Sequence, residues 1–383
     1  MNKTIIIGNS LANTYGMARS LKKQGREVIL ILEPSRFDTI RYSRYVDKIH
    51  RVEKLEDIIP TLLKNYGNEP NPPVLFCGSD NTIALIDNNY YLLKDKFVFF
   101  NAGEEGLINH YMDKCTTFPI AEKHGLSIIK TWVIKQKDVI PEDIAFPCLI
   151  KGNNSTKSTK QDMTICSNLD ELKQSLKDGI EYLVQEYIQK EYELDIIGLS
   201  CNHGENVLIP AVVRKIRDEL QRQSCYFRLD DIRDYPDLNV DKLKEFIHEL
   251  KYEGIFSVEV LACGGKYYFL EVNLRNDGCA WIYTAAGVNY PHLWALYGER
   301  QLNTDNMEQQ TATTPLFLMS QDDIYNLLEG KVSFVQWLKD FHKAGTSFNA
   351  YFKDPLYTLM DFSIHIKQGL KLVLRKCLGI NIH

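Results

Sequence analysis

The sequence predicts an α/β protein, with an open parallel-sheet lobe followed by mixed α+β lobes that share a site. Two observations carry this. Thr4-Ile-Ile-Ile-Gly8, a helical pattern around Met17-Ala-Arg-Ser-Leu21 closed by Gly25, and Glu27-Val-Ile-Leu-Ile-Leu32 form a β-α-β unit. Further on, Ser257-Val-Glu-Val-Leu261 and Tyr267-Tyr-Phe-Leu-Glu-Val-Asn273 flank Cys263-Gly-Gly-Lys266, which reads as a β-hairpin. Alternation along its paired strands turns Glu259, Glu271 and Asn273 to one face. Two carboxylates on an apolar sheet repel each other and are costly to desolvate unless a cation lies between them. Hard divalent ions such as Mg²⁺ take one or two carboxylates plus substrate phosphates, and Arg275 follows where a guanidinium can meet a phosphate or carboxylate.

The whole chain sets the bounds. Its 383 residues suit two or three domains. A net charge of −5 argues against a nucleic-acid partner. The nine cysteines are scattered without a C-x-x-C pair, as expected of reduced thiols. The N-terminus lacks a signal-peptide pattern and no apolar run approaches a membrane span, so the expected location is cytoplasmic.

In chain order, Gly8-Asn-Ser-Leu-Ala-Asn-Thr-Tyr-Gly16 departs from G-x-G-x-x-G, which weighs against a dinucleotide site. Pro73-Val-Leu-Phe-Cys-Gly-Ser-Asp80 is a strand entering a loop, where Asp80 lies at a ligand-binding position or Ser79 or Asp80 simply caps the helix starting near Asn81. Lys96-Phe-Val-Phe-Phe-Asn101 is expected to be a fourth strand, and the first lobe spans residues 1–109. A second unit, 110–300, divides at 188/189. It opens with a helix from Asp113-Lys114 to about Lys123. Phe146-Pro-Cys-Leu-Ile-Lys151 is a strand ending in lysine, and the loop after it, including Ser155, is either a phosphate cradle or a solvated hairpin loop. Gln185-Glu-Tyr-Ile188 ends another strand and can offer backbone groups to an adenine edge, while Glu193 can accept from ribose hydroxyls. The segment with Arg214, Lys215, Arg217, Arg222 and Arg228 is cationic but interleaved with acids. A helix from Val240 to Lys251, with Leu243, Phe246, Ile247 and Leu250 on one face, precedes the hairpin.

Five features in this order are specific together: Asp113-Lys114, Lys151 at its strand end, Gln185-Glu-Tyr-Ile188 with Glu193, Glu259, and Glu271-Val-Asn-Leu-Arg275. From Met1 to about Gly298 the chain resembles the ATP-grasp superfamily of carboxylate–amine ligases. Ser79-Asp80 and Asp113-Lys114 look closest to its D-aspartate ligase-like branch. The resemblance implies an ATP-grasp fold preceded by the α/β lobe, with ATP and two Mg²⁺ (or Mn²⁺) ions bound. It implies that Lys114 and Lys151 hold the phosphates, that Glu186, Tyr187 and Ile188 read adenine, and that Glu193 binds ribose. Glu259, Glu271 and Asn273 match the metal ligands, Arg275 a phosphate or acyl-phosphate contact, and Lys215 or Arg214 a cation near the γ-phosphate. The loop after Lys151 departs from the pattern, with Ser155, Thr156 and Ser158 in place of a glycine cluster. The implied activity is activation of a carboxylate as an acyl phosphate and its ligation to an amine, at least one substrate being acidic. A homodimer would be common for such ligases, and a non-catalytic ATP-binding module is the alternative.

Residues 301–383 form an extension, mostly helical, in which Pro315-Leu-Phe-Leu-Met319 can return to the core as a strand. The last helix, Tyr357 to about Leu378, places Lys367, Lys371 and Arg375 at four-residue spacing opposite Leu370, Val373, Leu374 and Cys377. Packing on the protein's own body is the favoured reading of it, with weak contact to an anionic membrane surface as the other.

Overall fold

The computed structural model describes residues 1–9, 12–35, 38–135, 138–153, 163–177, 179–218, 224–345 and 352–377, with backbone alone at 372, 373 and 375–377. In the first lobe, β1 (Thr4–Gly8), β2 (Val28–Leu32), β3 (Lys48–Arg51) and β4 (Val74–Cys77) form a parallel sheet of order β3-β2-β1-β4. β1, β2 and β4 are buried along their whole length, as parallel strands covered on both faces must be. The edge strand β3, Lys-Ile-His-Arg, was not expected, because its polar, partly exposed residues carry no apolar run. The expected strand at Lys96–Asn101 is corrected: Val98 makes an isolated parallel bridge to Val74, and Asn101 an antiparallel one to Glu253. That segment therefore ties the first lobe to the large lobe. A buried bidentate pair between Arg26 and Glu299, at 2.9 and 3.0 Å, makes a second tie.

The short β5 (Ser127–Ile128) leads into a small antiparallel sheet. This sheet comprises β6 (Thr131–Lys135), β7 (Cys148–Gly152), β8 (Thr164–Cys166) and β9 (Glu181–Glu186), in the order β6-β9-β7-β8. It has its own core around Ile134, Ile150, Leu172 and Val184. The large lobe holds β10 (Tyr192–Cys201), β11 (Asn206–Leu208), β12 (Val212–Asp218), β13 (Ser224–Asp230), β14 (Gly254–Cys263), β15 (Lys266–Asn273) and β16 (Leu316–Met319). Their order is β16-β13-β12-β10-β14-β15-β5, with β11 on β10. The helix Val240–Glu249 buries Leu243, Phe246 and Ile247, as its spacing requires.

The hairpin is β14–β15. Its turn has Gly264 and Gly265 at φ of 58° and 74°, the pair of positive values that a two-residue hairpin turn of matching twist demands. The eight cysteines with described side chains are free thiols.

The extension contributes β16, which pairs antiparallel with β13, and three helices: Ile324–Leu328, Phe334–Ala344 and Pro355–Cys377. The last packs on the body. Tyr357 is fully buried and stacks on Tyr15 at 3.9 Å between centroids. His365 lies between two acids, Nε2 being 3.1 Å from Asp322 and Nδ1 3.4 Å from Asp361. Burial works against the imidazolium, but the two carboxylates outweigh it and push its pKa up to about 9. A raised folded-state pKa gives stability that is complete below about pH 6.5 and lost as pH rises through about 9. We expect His365→Gln to cost on the order of 2 kcal/mol at pH 6 and little at pH 10, read as the difference in denaturation midpoint from wild type. A pH-independent difference would count against this pairing.

Candidate active site

A cavity of about 780 Å³ lies between the three lobes. Its polar lining includes Asp80, Lys114, Lys151, Gln185, Glu193, Glu259, Glu271, Asn273, Arg275 and Asp277, and the Glu186–Tyr187–Ile188 segment forms one wall. Each group arrives from a definable local structure. Glu259 and Glu271 are register partners on β14 and β15. A register shift after Glu259 makes Val260 pair with Phe269, so Leu270 is the extra residue of a β-bulge and also lines the cavity. Asn273, two residues beyond Glu271, shares its face.

Lys114 begins the helix Lys114–Lys123, whose N-cap Asp113 accepts from the Cys115 N–H at 2.8 Å. The Lys114 Nζ lies 2.7 Å from Glu271. Burial disfavours its charge, yet the Glu271 carboxylate more than compensates and its pKa is raised. Lys215, on β12, lies 2.6 Å from Glu259 and 3.5 Å from Glu193, with its side chain 8% exposed. Again burial opposes the charge, and Glu259, Asp195 and Glu193 raise its pKa well above the usual lysine value. Lys190 continues the alternation, 2.9 Å from Glu193 and 3.4 Å from Asp218. The facing carboxylates are thus compensated by a lysine on each side.

Of the two cations proposed for one role, the fold brings only Lys215 to the cluster. Arg214 points to the other face of β12, with its guanidinium 4.2 Å from the centre of the Tyr192 ring. Arg217 is held by Asp323 and Asp340, and Arg228 by Asp230. The cationic segment therefore spends these charges on internal partners.

Lys151, near the end of β7, is half-buried at the cavity wall. Burial, and then the neighbouring Lys114 charge, push its pKa down to about 8. A bound polyphosphate favours the charged form and raises that pKa again. We expect nucleotide binding to take up a proton between about pH 8 and 10, and affinity to fall as pH rises through about 8. Calorimetry in buffers of different ionisation enthalpy checks it, and binding without proton uptake at pH 9 would refute it.

Gln185 is buried and donates to Thr131 Oγ1 at 2.8 Å. The Glu186 and Tyr187 N–H groups bind the carbonyls of Lys130 and Pro147, fixing the path of this segment. Ser155 lies outside the described residues. Ser79 does cap the helix Asp80–Asp87, accepting from the Thr82 N–H. Asp80 nevertheless faces the cavity, 2.5 Å from Arg275 Nε, just beyond the C-terminal end of β4. The cap reading thus holds for Ser79, while Asp80 keeps its carboxylate at the cavity. Arg275 also donates to Asn273 at 3.4 Å and to the Asn276 carbonyl at 3.3 Å.

Sequence reasoning missed Asp195, Asp277 and Lys190, and the apolar lining of Met163, Leu149, Ile165 and Leu261. Asp195 is a register partner of Glu259 and is 3% exposed. It accepts from the Cys279 thiol at 3.3 Å, and burial, then the Asp277 charge, raise its pKa well above the carboxylate range. Its spacing of two from Glu193 was the available signal. The apolar lining gave none, because the sequence reads it as core.

Glu259, Glu271 and Asn273 present hard oxygen donors at one place, each carboxylate meeting a lysine ammonium. That donor set fits Mg²⁺ or Mn²⁺ and not a soft ion. The apolar walls beside the Glu186–Ile188 segment fit a flat aromatic base.

A carboxylate-rich face, two lysines and an apolar slot between a small antiparallel sheet and a larger, mostly antiparallel one fit a nucleotide-binding α/β fold of the ATP-grasp class. Residues 119–286 match the family model described as the ATP-grasp domain. Solved structures agree in fold. Biotin carboxylase from Campylobacter jejuni, solved as a β-γ-ATP complex, is 15% identical with a TM-score of 0.66, over 83% of this chain and 75% of that one. N5-carboxyaminoimidazole synthetase from Staphylococcus aureus, complexed with ADP, is 15% identical with a TM-score of 0.65, over 86% of both chains. L-amino acid ligase from Bacillus licheniformis is 14% identical with a TM-score of 0.64, over 82% of this chain and 78% of that one. A search of curated proteins finds no significant sequence match.

Proposed function

We propose that this chain is an ATP-dependent ligase that activates a substrate carboxylate as an acyl phosphate and joins it to an amine. The observation that supports this best is the single cavity shared by Lys114, Lys151, the Glu259–Glu271–Asn273 face, the Glu186–Ile188 wall and Arg275. In the first step a carboxylate oxygen attacks the γ-phosphorus, the bond to the bridging oxygen breaks, and ADP leaves. In the second the amine nitrogen attacks the acyl carbon, phosphate leaves and the nitrogen gives up a proton. No side-chain nucleophile is needed, so the buried cysteines have no part.

Lys114 and Lys151 hold the phosphate oxygens in this reading, and neutralise charge by position. Glu186 to Ile188 present backbone to the adenine, beside Gln185, and Glu193 accepts from the ribose. Glu259, Glu271 and Asn273 would hold the metal, two ions being proposed, and Mg²⁺ supplies neutralisation of the triphosphate when bound. Lys215 balances the Glu259 carboxylate from behind. Arg275, steadied by Asp80, orients the substrate carboxylate. With Arg217 and Arg228 internally paired, the expectation of an acidic substrate rests on Arg275.

A coupled ADP-release assay across a panel of carboxylates and amino acids tests the reading. Stimulation that requires both a carboxylate and an amine is expected. Nucleotide binding with no acceptor-stimulated turnover would favour a non-catalytic, nucleotide-gated interaction module.

A further inference from the structure

We propose that the helix Pro355–Cys377 docks this protein on an anionic lipid surface, through the face it turns away from the body. This does not depend on the ligase reading. At about 100° per residue, Tyr357, Asp361, Phe362, His365, Gln368 and Gly369 fall on one side of the helix. The structure seats that side firmly. Tyr357 is buried against Tyr15, His365 lies between Asp322 and Asp361, and the Tyr325 hydroxyl donates to Gln368 at 2.9 Å. At Gly369 a Cβ would come within 3.0 Å of the Tyr325 ring. The rotation of the helix is therefore fixed.

On the opposite side Leu356, Leu359, Ile366, Leu370 and Leu374 are all exposed, Leu359 by 66% and Leu374 by 60%. The helical period places these five within an arc of about 80°, a straight stripe ~27 Å long. Lys367 and Lys371, also exposed, lie along one edge of the stripe. Phe352, 82% exposed, stands just before the helix.

Charge selects the occupant. From residue 352 onward the sequence has five lysines and arginines, and its only acids are Asp354 and Asp361, both buried. The exposed charge along this helix is thus of one sign in a chain whose net charge is −5. A second copy would present the same positive edge, whereas an anionic lipid surface complements it and takes up the leucines. No described helix is long and apolar enough to cross a membrane, so the helix lies on the surface and does not span it.

Co-sedimentation of the full chain with vesicles tests this. Vesicles of mixed phosphatidylglycerol and phosphatidylcholine should bind it at least about 10-fold more tightly than phosphatidylcholine alone, and raised salt should remove the difference. Lys367→Glu with Lys371→Glu should reduce binding to the phosphatidylcholine level. Leu359→Glu with Leu370→Glu should abolish binding to both while the circular dichroism and melting midpoint stay unchanged. Absence of binding to the anionic vesicles would overturn the proposal, as would equal affinity for both vesicles. A solution dimer dissolved by the same leucine substitutions would overturn it in favour of a second copy. If the leucine variant fails to fold, the lysine variant alone decides.

Discussion

Glu271→Gln is expected to lower ATP turnover by 10²–10³-fold or more, taking the loss of one charge-stabilising group in a preorganised site as the scale. Three consequences of the substitution act together. A carboxylate leaves the oxygen face that Glu259 and Asn273 share, the register partner of Glu259 becomes neutral, and Lys114 loses the anion 2.7 Å from its Nζ. The amide keeps the shape of the side chain, so β14 and β15 remain paired and the circular dichroism should not change. Raised Mg²⁺ should recover part of the rate, because a weakened site refills by mass action. Turnover retained at the wild-type level would remove Glu271 from the metal face and the proposed chemistry with it.

Lys215→Met is expected to act on stability first. The ammonium is nearly buried and compensates Glu259 at 2.6 Å and Glu193 at 3.5 Å, with Asp195 behind them. Removing one partner of a buried charge cluster typically costs ~3–5 kcal/mol, since the remaining charges are left uncompensated. Some of that loss will be absorbed by protonation of the acids, so the variant should be relatively more stable at low pH. Mg²⁺ with ADP should shift the urea midpoint of the variant further than that of the wild type, because the added cation replaces the lost one. A destabilisation below ~1 kcal/mol without metal would show that Lys215 does not balance the carboxylates.

The parts of the site that were legible in the sequence are those set by local periodicity. Glu271 and Asn273 share a face because strands alternate, but the register set by the Gly264-Gly265 turn pairs Val260 with Phe269, and the bulge at Leu270 is what brings Glu271 opposite Glu259. Lys114 and Lys151 were legible as termini, one following a helix cap and the other near the end of a strand. The same periodicity failed where polarity misled it. β3 was invisible because an exposed edge strand has no apolar alternation, and Lys96–Asn101 looked like a strand because its apolar residues are buried by packing without a ladder.

Partnership across elements was the larger gap. The run from Arg214 to Arg228 read as cationic but interleaved with acids, and the fold takes Arg217 to Asp323 and Asp340 in the extension, more than a hundred residues away. Asp80 read equally as cap and ligand until Arg275 was brought to 2.5 Å from it across 195 residues. The final helix posed a choice between the body and a membrane, and the fold seats one of its faces on the body while leaving a leucine face exposed.

The sequence by itself determined the strand pairing of β14 with β15, the carboxylates available to its cavity face, and the helix-start and strand-end places of Lys114 and Lys151. These follow from rules acting over a few residues. Only the tertiary structure decided which cations stand against that face: Lys215 and not Arg214, Arg275 held by Asp80, and Arg217 withdrawn into the extension. The physical reason is that a charge is worth little until its neighbours and its burial are known, and neither is written along the chain.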